Sequence, residues 1–82
     1  MAKKTFKIGE YAMGGIITAE THANGLITIE ARDWDTKELL SSMTAGGRAV
    51  LMEVLLDWTS SYYADKVMDW IETKVDFSER EW

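Results

Sequence analysis

Gly14-Gly15-Ile16-Ile17-Thr18-Ala19-Glu20-Thr21-His22-Ala23-Asn24-Gly25-Leu26-Ile27-Thr28-Ile29-Glu30-Ala31-Arg32 is the stretch whose reading decides the fold. Ile and Thr dominate on both sides of Asn24-Gly25, which predicts two strands joined by a hairpin. The register follows from the face that must be buried. A two-residue loop would pair Ala23 with Leu26 and put Ile27 and Ile29 on the face of His22 and Glu20. A three-residue loop, Ala23-Asn24-Gly25, pairs His22 with Leu26. Ile17, Ala19 and Thr21 then share a face with Ala31, Ile29 and Ile27. That register leaves one apolar and one polar face, so the three-residue loop is expected, with Gly25 left-handed.

Upstream, Phe6 and Ile8 alternate with Thr5 and Lys7, which reads as a further strand, and Gly14-Gly15 permits a tight bend or bulge. Downstream, Asp35–Thr44 fits two structures. Asp35-Thr36-Lys37-Glu38 makes a helix capping box, with Leu39, Leu40 and Met43 on one helical face. The same residues fit a turn at Asp35-Thr36 and a fourth strand over 38–44. Ser41-Ser42-Met43-Thr44 is poor helix material, so the balance favours the strand. Ala45-Gly46-Gly47 then breaks the chain.

The second half is helical. At about 100° per residue, Arg48–Ser60 is apolar around most of its circumference, with Glu53, Asp57 and Ser60 as its polar stripe. A domain this small covers little more than one side of a helix. The surplus marks Met52, Leu55 and Leu56 as a face for a second copy or a partner. Thr59-Ser60-Ser61 caps a second helix, Tyr62–Val75. Its apolar arc holds Tyr63, Ala64, Val67, Met68, Trp70, Ile71 and Val75. Together these elements predict a single α+β domain over residues 1–82. An antiparallel sheet of three to four strands lies within 1–44, and one or two helices within 47–76 pack on it.

With 82 residues, the chain buries roughly 60–65% of its unfolded surface, which makes stability marginal. There is no Cys and a single His, so neither a disulfide nor a zinc site is expected. The apolar runs 14–19 and 49–56 are too short to span a bilayer or to act as a signal sequence, and a cytoplasmic location is expected. Net charge is −5. Residues 1–44 hold six acids and five bases, and residues 45–82 hold eight acids and four bases. Nucleic-acid binding needs a basic face. The sequence shows none, so direct nucleic-acid binding is not expected and a basic protein partner is.

No catalytic constellation is visible. His22 sits at a hairpin end, apart from any nucleophile-elbow serine, Ser78 included. Neither glycine pair is followed by a phosphate-loop Lys-Ser/Thr. Asp33 and Asp35, flanking Trp34, cap a turn more simply than they make a carboxylate pair, and Glu10 and Glu20 lie on nearby strands. No enzyme activity, cofactor or metal is therefore expected. Asp65, Asp69, Glu72 and Asp76, spaced 4, 3 and 4 apart, fall within roughly 60° of one helix face. Like charges at that spacing cost about 0.2–0.5 kcal/mol each. Helix stability would not select them, whereas solubility or docking on a basic partner would. They are too sparse to mimic DNA alone, since about 16 Å of duplex carries about nine charges. Trp34 and Tyr62 are candidate aromatic anchors, and Trp82 reads as exposed or packed on a partner.

Ala31-Arg32-Asp33-Trp34-Asp35-Thr36-Lys37-Glu38-Leu39 resembles a short segment of the small phage-encoded anti-CRISPR inhibitors directed at type I surveillance complexes. The build, a small antiparallel sheet with helices, is similar to that class. The resemblance implies phage or mobile-element origin, the host cytoplasm as location, and inhibition by binding rather than catalysis. The expected function is thus a small protein-binding inhibitor docking an acidic, aromatic surface on a basic site of a host defence complex. The alternative is a homodimeric assembly module, closed through the apolar helix.

Overall fold

The computed structural model describes residues 2–9 and 13–77. The expected positions Glu10, Ser78 and Trp82 lie outside them. Four strands, β1 (Lys3–Lys7), β2 (Gly15–Thr21), β3 (Ile27–Asp33) and β4 (Leu39–Ala45), precede two helices, α1 (Arg48–Trp58) and α2 (Ser61–Glu72). The strands form one antiparallel sheet in the order β1-β2-β3-β4.

The β2–β3 hairpin takes the register that buries one face. Ile17 pairs with Ala31, Ala19 with Ile29, and Thr21 with Ile27. The His22 N–H donates to the Leu26 carbonyl, and Gly25 closes the three-residue loop with φ +86°. A side chain there would meet the steric cost of the left-handed region, which Gly avoids.

Residues 39–45 form a strand, as the Ser-rich composition favoured, and residues 33–38 form the turn before it. The Asp33 side chain directs this turn: its Oδ1 accepts the N–H groups of Asp35 at 2.9 Å and Thr36 at 3.0 Å. Accepting these N–H groups makes Asp33 a turn former, and Asp35, the cap of the helical alternative, lies inside that turn. The register of β3 against β4 shifts between Ala31 and Arg32, a bulge at the end next to the turn.

Both helices cover the same sheet face. Ile17, Ala19, Ile27, Ile29 and Ala31 meet Leu51, Leu55, Trp58, Ala64, Val67, Met68 and Ile71 in one core. Phe6 of β1 closes the edge against Trp70, ring centroids 6.3 Å apart and nearly perpendicular. Helix α1 ends at Trp58, two residues before the expected Ser60, because Thr59 is extended. Helix α2 ends at Glu72 and not at Val75: its last turn tightens, with the Lys74 N–H donating to the Ile71 carbonyl at 2.9 Å and the Thr73 hydroxyl to the Trp70 carbonyl at 2.6 Å. No helix among the described residues is long and apolar enough to cross a membrane.

Candidate functional site

Two outward surfaces result. One is the outer side of the helix pair, the other the sheet face that neither α1 nor α2 covers.

On the helix pair, the acidic stripe is shorter than expected. Asp65, Asp69 and Glu72 are exposed on α2, whereas Asp76 lies beyond its end. Asp76 still lines a shallow cleft of about 400 Å³ with Arg48, Glu72, Val75 and Phe77. The stripe also faces a cation of its own: the Arg48 Nε donates to Glu72 Oε1 across the helix pair. That hydrogen bond and the Glu72 charge raise the Arg48 pKa further above its usual range, and Asp65 and Asp69 add to the effect. Half the expected charge is therefore compensated or displaced. Asp65 and Asp69 remain the outward acids of α2.

Helix α1 carries the rest of the surface. Leu55, expected to face a second chain, is fully buried in the chain's own core. Its position on the helix faces the sheet, so it is closed to any partner in this fold. Met52 is half-buried against the core. Leu56 does point outward, 46% exposed, and Val50 does so at 45%. With Val54, Glu53 and Asp57 they line a groove of about 550 Å³. The two acids were visible in the sequence as a polar stripe. Their position between apolar neighbours, Leu56 on one side and Val50 and Val54 on the other, follows from the helical period.

Both aromatic candidates are exposed but engaged. Trp34 stands in the β3–β4 turn, with the Lys37 ammonium 5.5 Å from its ring centroid. Tyr62, in the first turn of α2, stacks edge-on with Tyr63 and lies 4.9 Å from the Lys66 ammonium. They belong to different elements and make no joint anchor.

The open sheet face overturns the reading that the chain lacks a basic surface. Alternation sends Lys3, Thr5 and Lys7 of β1 outward beside Ile16 and Thr18 of β2 and Glu30 and Arg32 of β3. With Lys37 these residues line a concave patch of about 310 Å³ that holds four cations and one carboxylate. Net charge concealed this, because the acids that outnumber the bases lie mostly elsewhere. The signal that could have found it was the period-two placement of Lys3 and Lys7.

Chemically, the described residues present apolar, acidic and basic surface. Among them no group of three or more His, Asp or Glu side chains could hold a metal ion. His22 Nε2 pairs with the Thr28 hydroxyl at 2.7 Å, which in turn reaches Thr44 at 2.8 Å, a chain of hydrogen bonds across the sheet. No protein-family model, curated protein or solved structure matches the chain.

Proposed function

We propose that this chain is a small non-enzymatic inhibitor that docks its helix pair on a basic site of a larger protein. The host defence complexes implied by the Ala31–Leu39 resemblance are the target class. The observation that carries the reading is the outer face of α1. There Val50 and Leu56, each nearly half exposed, flank Glu53 and Asp57. Apolar anchors beside charges are how a docking surface combines affinity with selection of partner. Asp65 and Asp69 add a second negative face, on α2 beside Arg48.

The exposed Val50 and Leu56 also favour the second reading, a homodimer closed through α1. A two-fold interface uses the same patch on both copies, so closure through this groove would gather the Glu53 and Asp57 carboxylates of both copies in one surface. Like charges facing one another across a desolvated surface cost several kcal/mol. The carboxylates therefore favour a basic partner over a second copy.

The test is phage plating on cells that carry an active type I surveillance complex. Expression of the chain is expected to restore plating of a targeted phage, and the purified chain to bind that complex in a salt-sensitive manner. E53K/D57K and D65K/D69K are expected to lose both effects while remaining folded. Wild-type expression without rescue or binding would remove the target class. Retained binding by the charge-reversed variants would remove the docking face.

A further inference from the structure

The uncovered sheet face carries an inference independent of the helix pair. Lys7, Ile16 and Arg32 stand side by side in adjacent strands, and so do Thr5, Thr18 and Glu30. Lys3 and Lys7, four residues apart on β1, are separated by about 13 Å, and Lys7 and Arg32, two strands apart, by about 10 Å. Arg32 and Lys37 are held together. Arg32 Nη1 donates to the Lys37 carbonyl at 3.0 Å, and the Lys37 ammonium donates to the Trp34 carbonyl at 2.7 Å. Arg32 also meets Glu30 at 3.5 Å. Lys3 stands opposite Glu20 on the same face, and among the described residues neither Lys3 nor Lys7 makes an ion pair.

The lining tells which anion fits. Its apolar member, Ile16, is only 4% exposed. The exposed apolar side chains nearby, Leu39 beside Arg32 and Trp34 beside Lys37, stand at the margin of the patch and not in its lining, whereas the anchors that dominate protein interfaces sit at their centre. What the patch offers is ammonium, guanidinium and threonine hydroxyl donors, the set that meets phosphate oxygens. Among the described residues its lining includes no aromatic ring, the Trp34 ring lying outside it beside Lys37, whereas single-strand binding sheets place stacking rings within the patch. The negative helix pair lies behind the sheet. At physiological salt the Debye length is about 8 Å, so solvent-exposed acids on the far side act less on an anion at the open face than the cations that line it.

We propose that the open sheet face, through Lys3, Lys7, Arg32 and Lys37, binds the phosphate backbone of duplex nucleic acid without reading its sequence. The contact is weak and salt-controlled. Neutralising four phosphates lowers affinity about 100-fold between about 50 and 200 mM salt. This reverses the expectation from net charge, because binding depends on the local face and not on the whole chain.

The experiment is fluorescence anisotropy with a labelled duplex of about 20 base pairs, at about 50 mM and then 200 mM salt. The wild-type chain is expected to bind two unrelated sequences equally and to show the steep salt dependence. K7E/K37E is expected to bind at least about 10-fold more weakly. K3Q/K7Q, a milder change at exposed strand positions, is expected to weaken binding in part, with circular dichroism confirming that both variants fold. D65K/D69K, on the helix pair, is expected to lose no duplex affinity, which separates this face from the docking surface. Absence of binding at about 50 mM salt, or unchanged binding by folded K7E/K37E, would overturn the proposal. Displacement of the duplex by polyglutamate as readily as by unlabelled DNA would also overturn it and assign the face to an acidic protein.

Discussion

The Arg48 guanidinium hydrogen-bonds the Glu72 carboxylate, tying the first turn of α1 to the last turn of α2. The pair has poor help from the helix dipoles, since a cation sits at an N-terminus and an anion at a C-terminus. Its side chains are 52% and 38% exposed, so water and salt screen it. The raised Arg48 pKa means a stabilising effect that is complete below the unfolded pKa and is lost only in strong alkali. R48Q and E72Q are accordingly expected to shift the thermal midpoint by no more than about 3 °C at low salt. The shift should be equal at pH 6 and pH 8 and vanish in about 1 M salt. A large salt-independent loss measured by calorimetry would give the pair a packing role instead.

Asp33 sets a pH dependence of the opposite sign. The backbone N–H of Thr36 and that of Asp35 hold its carboxyl below the usual 3.8. A depressed folded pKa contributes stability that is fully present above the unfolded pKa and is lost as pH falls through the folded one. D33A should therefore be less stable than wild type at pH 7. The difference should shrink below about pH 4 and disappear once the wild-type carboxyl is protonated. Urea denaturation of both proteins between pH 2 and pH 7 reads this directly, and parallel curves over that range would show that the turn does not depend on the charge.

Such a turn shows where the sequence was legible and where it was not. The hairpin register could be read because Ile17, Ala19, Ile27, Ile29 and Ala31 must all be buried and only one loop length allows it. The strand after Asp35 was balanced against a helix, because Leu39, Leu40 and Met43 satisfy both periods over so few residues. The end of α2 was hidden because the apolar period runs on to Val75, while the backbone tightens at Thr73 in a way periodicity does not encode. Leu55 could not be told from Leu56 as an outward residue while α1 looked apolar all round, since the sheet chooses the buried side. The basic face was the least visible. Lys7 is far from Arg32 and Lys37 in sequence and becomes their neighbour only through the strand order, while the β3–β4 turn brings Lys37 back onto Arg32.

Lys37 combines that face with backbone strain. Its φ of +66° is left-handed, and it is the single non-glycine residue with positive φ among those described. This conformation costs an ordinary residue roughly 1–2 kcal/mol. The conformation coincides with the acceptance of Arg32 at the Lys37 carbonyl and with placement of the ammonium near Trp34. K37G is therefore expected to match or exceed wild-type stability, by up to about 1 kcal/mol, while weakening duplex binding. Loss of stability in urea titration would show that the side-chain contacts outweigh the strain.

The carboxylates of α1 make the last prediction. Val50, Val54 and Leu56 offer enough apolar surface to invite self-association, and Glu53 and Asp57 between them oppose it. If repulsion is what keeps the face open for a basic partner, its removal must reveal the underlying stickiness. E53Q/D57N keeps the shape and removes two charges, so it is expected to associate in light scattering at concentrations where the wild-type chain is monomeric. Adding L56S to that variant should restore the monomer, because the attraction is apolar. Lowering salt should drive wild type further toward monomer and leave E53Q/D57N unchanged. A wild-type chain that is dimeric at every salt concentration would show that α1 tolerates the carboxylates against their copies, and the assembly-module reading would then displace the inhibitor.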